Sequence, residues 1–265
     1  HNSKHMLKYF IKGLLLLCFL PVFSQSGPID LRARDTTRYS QPYGLRAGID
    51  LSRPVLSFFN EDYTGLEIVA DYRLTQRLYL AGELGNEQKT NREELENFDL
   101  SDPTLLYEYN TSGSYIKLGV DYNTYENWYG MNNSIFIGGR YAFSTFSQTL
   151  NSGFVYDSNR YWVPDAFAPG NQGGEEYGGL NASWLEFLVG VKAELFANFY
   201  LGASVRLGFL VSNKEADNFP NLWIPGFNRV TDGSNFGVGY NYSITYFLPL
   251  YRKAKKGSSE TSSAN

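Results

Sequence analysis

Apolar and polar residues alternate with a period of two along eight separate segments of the chain. In the first segment, Leu45 and Ile49 share one face, whereas Arg46 and Asp50 share the opposite face. Successive side chains of a β-strand point to opposite sides, so this alternation is typical of strands that separate two environments. The other seven segments begin near residues 66, 78, 115, 135, 185, 199 and 236. Since the same part of the chain shows no convincing 3.6-residue repeat, the pattern predicts an all-β fold.

Charged residues test this alternation independently. When one predicted strand carries several charges, their separations are even, so all of them share one face. The groups are Arg46/Asp50, Glu67/Asp71/Arg73, Lys117/Asp121 and Glu186/Lys192/Glu194. Random placement would give odd and even separations equally often. The even separations of the charges therefore support the period-two pattern independently of the apolar residues that first indicated it.

The connections between predicted strands alternate in length. They are very short near 75–77 and 196–198, and modest at 123–133. Long connections lie near 87–112, which is acidic, 151–180 and 212–234. Short turns on one side and long loops on the other are typical of outer-membrane barrels. The sequence predicts an eight-stranded antiparallel up-and-down transmembrane β-barrel with long extracellular loops, and a soluble lipocalin-like barrel with apolar faces inside is the alternative.

The first residues predict export. Lys8 and Lys12 precede a short apolar run from Gly13 to Phe23, which is the pattern of a cleavable signal peptide. The run is shorter than the roughly 20 residues that a membrane-spanning helix needs. We expect a signal peptide over 6–24, a periplasmic segment over 25–42, an outer-membrane barrel over 43–251 and a disordered basic, Ser-rich tail over 252–265.

The sequence offers little for catalysis. Cys18 is the only cysteine, and the two histidines, His1 and His5, also precede the predicted cleavage point. Without His or Cys, the mature chain lacks the groups for most metal sites and for His-assisted nucleophilic mechanisms. We therefore expect no enzyme activity, no cofactor and no metal. The net charge of -4 argues against nucleic acid as a partner.

Two features resemble known outer-membrane proteins. The stretch from Asn235 to Tyr242, with glycines followed by alternating aromatics, resembles the assembly signal near the end of outer-membrane barrels. The segments 113–122, 143–150 and 224–235 resemble an uncharacterised, domain-of-unknown-function family of outer-membrane β-barrels from Gram-negative bacteria. The resemblance implies the location and the fold, and it supplies no mechanism.

If the polar faces point inward, the lumen of the barrel holds six cations and seven anions. They are Arg46, Asp50, Glu67, Asp71, Arg73, Glu83, Lys117, Asp121, Arg140, Glu186, Lys192, Glu194 and Arg206. An eight-stranded barrel is just wide enough for side chains to fill it, so these charges must pair or be hydrated. They could form a salt-bridged plug or line a narrow polar conduit. The near balance of signs favours the plug, since selective pores carry rings of one sign.

Two of the long loops are unexpectedly apolar. One carries Trp162 and Phe167, and the other carries Phe219, Trp223 and Phe227. Such residues either pack over one another as a cap or dock a partner, because aromatic side chains are preferred interface anchors. We expect contacts with outer-membrane lipid and lipopolysaccharide, and a possible envelope protein partner. The leading hypothesis is a scaffold or accessory subunit; the alternatives are a small-solute or ion channel and a soluble ligand-binding barrel.

Overall fold

The structure, a computed structural model, describes residues 40–95, 104–125, 133–153, 174–215, 221–230 and 234–254. The predicted signal peptide and most of the predicted periplasmic segment and C-terminal tail lie outside these residues. Within them, no helix is both long and apolar enough to cross a lipid bilayer.

Eight long strands form a closed barrel in which each strand is antiparallel to its neighbours. The elements are β1 (Ser40–Asp50), α1 (Ser52–Phe59), β2 (Tyr63–Arg73), β3 (Leu78–Leu95), β4 (Thr104–Asn123), β5 (Ser134–Gly153), β6 (Glu175–Phe196), β7 (Phe199–Lys214), β8 (Trp223–Ile224), β9 (Asn228–Arg229) and β10 (Phe236–Ala254). Neighbours follow chain order from β1 to β7, and β10 closes the ring between β7 and β1. The predicted up-and-down barrel is confirmed.

The outer surface of the barrel is apolar. Leu84, Leu118 and Val205 are each more than half exposed, whereas the charged residue beside each of them along its strand is buried. Lys117, next to Leu118, is 1% exposed. Apolar residues therefore face outward and charged residues face inward, as in a transmembrane barrel and opposite to a lipocalin-like one. The chain is an outer-membrane-type β-barrel.

The strands extend further than the alternation predicted. Residues 87–95 and 104–112, predicted as part of a long acidic loop, instead continue β3 and β4 as a paired ladder, for example Lys89 with Thr111. The prediction of a loop there was wrong. Backbone pairing needs no apolar face, so a ladder continues where side chains on both of its faces are polar and the alternation that reveals strands is lost.

The end of the barrel at which β1 ends and β2 begins, here called the outer end, carries two further elements. Helix α1 begins at Ser52, and Pro54 is tolerated there because the first-turn N–H groups of a helix have no intrahelical acceptor. The mouth hairpin, formed by β8 and β9, turns through Pro225 and Gly226, with φ of +83° at the glycine. Proline and then glycine at the central positions are the pattern of a type II turn.

Candidate functional site

Nine inward-facing side chains form one continuous series of ion pairs in which positive and negative residues alternate. This series, called the charge chain, runs Arg46–Asp71–Lys192–Asp121–Arg140–Glu83–Arg206–Glu186–Lys117. Successive nitrogen–oxygen distances are 2.8, 2.7, 3.7, 2.7, 3.3, 2.5, 3.1 and 2.9 Å. Each buried charge thus has an opposite charge beside it, which offsets the large cost of removing both from water.

Strand register places the middle of the charge chain. Glu83 on β3 lies opposite Lys117 on β4, and Arg140 on β5 lies opposite Glu186 on β6. Arg206 on β7 donates to both Glu83 and Glu186, at 2.5 and 3.1 Å from its Nη1 atom. Because β3 and β7 are not neighbours in the ring, the Arg206–Glu83 pair crosses the lumen and ties opposite walls of the barrel together.

Two predicted lumen residues, Arg73 and Glu194, lie at the inner end of the barrel, opposite the outer end. Arg73 donates to the carbonyl oxygens of Pro42, Thr75 and Gln76 at 3.1–3.2 Å. Glu194 accepts a 3.2 Å hydrogen bond from the backbone of Asn198 in the β6–β7 turn. Both side chains therefore hold backbone segments in place at the inner end of the barrel.

The remaining predicted carboxylates, Asp50 and Glu67, belong to a second group near the outer end. This outer cluster consists of Asp50, Arg53, Glu67 and Glu87, and Arg53 lies 2.9 Å from Glu87, 3.7 Å from Asp50 and 3.9 Å from Glu67. Arg53 thus lies within ion-pair distance of three buried carboxylates. Neutral donors complete their coordination: Tyr115 donates to Glu67 and Glu87, and the Asn241 amide donates to Asp50 and Glu67.

Arg53 and Glu87 were missed as lumen residues by the sequence analysis. Glu87 was assigned to the acidic loop, although its even separation from Glu83 on the same strand could have revealed its inward direction. Arg53 gave no comparable signal, because it lies on α1 and period-two alternation does not apply to a helix.

The mouth hairpin is buried in the outer end of the barrel. The Phe227 ring packs edge-on against Trp184 with 5.6 Å between ring centroids, and a Cβ atom at Gly208 or Gly237 would lie 2.8–2.9 Å from that ring. Trp223 packs with Tyr63 and other buried side chains of the wall. Glycines in the wall thus leave the space that the hairpin fills.

This burial corrects one prediction. Trp223 and Phe227 are 3% and 4% exposed, so they have almost no surface to offer a docking partner and instead act as the cap that was the other interpretation. The other predicted docking residues, Trp162, Phe167 and Phe219, lie outside the described residues.

The lumen contains little free space around the charge chain. A cavity of about 40 Å³ adjoins Asp71, Asp121 and Arg140, and one of about 10 Å³ lies beneath the mouth hairpin. A single water needs about 10–15 Å³, so these spaces hold a few waters at most. A larger cavity of about 250 Å³ lies between α1, the mouth hairpin and β10. In the part of the chain described, no group of three His, Cys, Asp or Glu residues is arranged to hold a metal ion.

The sequence profile of DUF6048, a domain of unknown function, matches residues 6–253. The chain belongs to this family. No curated protein matches it. Among solved structures, it is similar to Ail, the attachment invasion locus protein of Yersinia pestis, in complex with the heparin analogue sucrose octasulfate, with 10% identity over 78% of this chain and 96% of Ail and a TM-score of 0.33. It is also similar to CarO2 of Acinetobacter baumannii, with 11% identity over 79% and 100% of the chains and a TM-score of 0.35. Similarity at this level transfers no property of either protein.

Proposed function

We propose that this chain is a non-enzymatic outer-membrane barrel that acts as a scaffold or accessory subunit of an envelope complex through its extracellular loops. The observation that carries the proposal is the filled lumen. A barrel whose interior is occupied by paired charges and by its own hairpin offers its surface, rather than its interior, for function.

The alternative of a small-solute or ion channel has weaker support. Charges of both signs alternate along the lumen, whereas selective pores use rings of one sign. Arg140, Glu83, Arg206 and Glu186 span the middle of the barrel, and the mouth hairpin covers them from the outer end. A solute would have to break several buried ion pairs to pass.

Partner binding is assigned to the long connection between β5 and β6. Trp162 and Phe167 in that connection are our proposed anchors, since large aromatic residues dominate binding energy at interfaces. The apolar exterior fits contact with outer-membrane lipid and lipopolysaccharide. Export through a cleavable signal peptide at 6–24 in a Gram-negative cell completes the proposal.

Crosslinked affinity capture from native outer membranes, read by quantitative mass spectrometry, tests the proposal. We expect the wild-type chain to capture an envelope protein in a stoichiometric amount. The double variant Trp162→Ser/Phe167→Ser should reduce the captured amount by about tenfold or more, since aromatic anchors each contribute about 2 kcal/mol or more. Tyr125→Ser, which alters an exposed aromatic residue beside the β4–β5 connection, is the matched control and should capture normally. Equal capture by both variants, or persistent salt-dependent conductance in planar bilayers, would overturn the proposal.

A further inference from the structure

The barrel wall is incomplete near its outer end because β1 is shorter than its neighbours. β1 pairs with β10 from Ser243 to Ala254 and with β2 from Ile68 to Tyr72. Among the residues described, the stretch Phe236–Asn241 of β10 pairs with β7 on one side, and Tyr63–Glu67 of β2 pairs with β3 on one side. The facing sides of these two stretches have no strand between them, and we call this opening the wall gap.

The wall gap lies within the lipid-facing band. Leu66 on β2 and Phe236, Val238 and Tyr240 on β10 point outward beside it and are all more than half exposed. An open sheet edge at this depth would leave backbone N–H and C=O groups facing hydrocarbon, which barrels avoid by closure. Another element must therefore cover the gap.

Helix α1 occupies the wall gap. Its Ser57 hydroxyl accepts a 2.9 Å hydrogen bond from the Gly65 backbone of β2, and its Arg53 points inward to the outer cluster. Its other face is apolar and exposed, with Val55, Phe58 and Phe59 from 50% to 82% exposed. This face continues the apolar surface of the neighbouring strands, so α1 fills part of a wall that is otherwise built of strands.

The cavity of about 250 Å³ lies beside α1 at the wall gap. Its lining includes the inward residues Trp223 and Gly239 together with the outward residues Val238 and Tyr240. Leu56 of α1 also lines it, so the cavity lies between α1 and the part of β10 that pairs with no strand on this side. We call this space the lateral cavity; it adjoins the mouth hairpin at Trp223 and the outward-facing, exposed residues Val238 and Tyr240.

The lining of the lateral cavity has both apolar and cationic parts. Leu56, Val238, Trp223 and Tyr240 are the large apolar and aromatic residues of the lining. Among the residues that the structure describes, the charged ones that line it are Lys89 and Arg53, both cationic. Arg53 is paired with Glu87, and the Lys89 ammonium lies 5.9 Å from the centroid of the Trp223 ring. The volume is slightly below the range of about 300–1,000 Å³ for drug-sized sites, so it suits part of a larger amphiphile.

We propose that the lateral cavity binds an anionic lipid of the outer leaflet, with the headgroup inside the mouth near Lys89 and one acyl chain passing between α1 and β10 into the bilayer. The exposed apolar residues beside the cavity, Val238 and Tyr240 of β10 and Phe58 of α1, point to the bilayer as the source of the ligand. The inference does not depend on a protein partner, and so it stands or falls separately from the scaffold proposal.

Trp223 provides a reporter inside the site. It is 3% exposed and faces the lumen, so acyl chains outside the barrel do not reach it. The protein is reconstituted as the full mature barrel in vesicles of phosphatidylglycerol whose acyl chains carry bromine at carbons 6 and 7, because bromine quenches tryptophan fluorescence at short range. Trp128→Phe/Trp162→Phe removes the two other loop tryptophans. The same background with Trp223→Phe gives the signal of Trp184, and the difference between the two is the Trp223 emission.

We expect brominated phosphatidylglycerol to remove most of the Trp223 emission and to leave that of Trp184 nearly unchanged. Gly239→Leu should abolish the quenching, because a Cβ atom there has 3.7 Å or more of clearance and the larger side chain fills the cavity. Gly139→Leu is the matched control, since its Cβ atom has similar clearance and it lies on β5 between the exposed, outward-facing Val120 and Phe187. An unquenched Trp223, or equal quenching in the Gly239 and Gly139 variants, would overturn the proposed site.

The headgroup assignment has its own test. Brominated phosphatidylcholine, which has no net charge, should quench Trp223 less than brominated phosphatidylglycerol in the wild-type background. Lys89→Gln should remove this difference while leaving the quenching by phosphatidylcholine unchanged. Equal quenching by the two lipids before the substitution would overturn the role of Lys89 in headgroup recognition.

Discussion

The backbone N–H of Gly226 donates a 3.0 Å hydrogen bond to the Glu87 carboxylate, which lies 139 residues earlier in the chain. The same carboxylate accepts from the Tyr115 hydroxyl at 3.1 Å and pairs with Arg53 at 2.9 Å. Glu87 therefore joins the mouth hairpin, two wall strands and helix α1 at one point. The position of the hairpin depends on this carboxylate as well as on the packing of Phe227.

Gly226→Ala is expected to destabilise the barrel through two effects. Its φ of +83° is unfavourable for alanine, at about 1–2 kcal/mol, and the new Cβ atom would lie 2.6 Å from the Tyr115 ring. Gly174→Ala isolates the first effect, because φ there is +91° and no atom lies within 4 Å. Urea unfolding in lipid vesicles should show the largest loss for Gly226→Ala, a smaller loss for Gly174→Ala and almost none for Gly178→Ala. Equal losses for Gly226→Ala and Gly174→Ala would mean that the hairpin does not contact Tyr115.

The fold was predictable because alternation is a local property of each strand. That Glu83, Lys117 and Arg206 share the polar faces of their strands follows from that alternation, and the alternating connection lengths predicted that these faces point inward. Which of these charges pair with one another does not follow from the alternation, because pairing depends on the register of strands that are distant in sequence. The burial of Phe227 was also beyond local reasoning, since an apolar loop residue packs inward only if the wall leaves room, here at Gly208 and elsewhere. Residues that meet through tertiary packing carry no periodic signal.

Tyr115→Phe tests the neutral donors of the outer cluster. The hydroxyl donates to Glu67 at 2.5 Å and lies 3.1 Å from Glu87, so its removal leaves buried carboxylate oxygens short of a donor. We expect a loss of about 1–3 kcal/mol in the free energy of unfolding. Tyr141→Phe, on the lipid-facing surface, is the control and should stay within about 0.5 kcal/mol of wild type. A Tyr115 variant as stable as this control would show that water replaces the hydroxyl.

Phe227→Ala separates the stability of the mouth hairpin from closure of the lumen. Removing a buried phenylalanine ring typically costs about 3–5 kcal/mol, so unfolding in urea should shift strongly. Conductance across planar bilayers should nevertheless stay at the wild-type level. The reason is that Arg140, Glu83, Arg206 and Glu186 still fill the middle of the lumen. If this variant instead conducted ions persistently, the mouth hairpin would be the barrier to ion passage.

The pair Glu83–Arg206 offers a direct measure of the charge chain. Glu83→Gln and Arg206→Gln each leave a buried charge with fewer partners, and each should cost about 3–5 kcal/mol. Because the double variant removes both charges together, it should lose less than the sum of the single losses. The expected coupling energy is about 1–3 kcal/mol, obtained from urea unfolding of all four proteins in vesicles.

The exposed pair Arg92–Glu108 is the matched control for this cycle. Its nitrogen–oxygen distance is 2.7 Å, similar to the buried pair, but the Arg92 side chain is 49% exposed. Exposed pairs couple by about 0.2–1 kcal/mol, and salt screens them. Raising the salt concentration should therefore weaken the Arg92–Glu108 coupling and leave that of Glu83–Arg206 almost unchanged. If both couplings fell together, water and ions would have access to the middle of the lumen, and the channel hypothesis would regain its support.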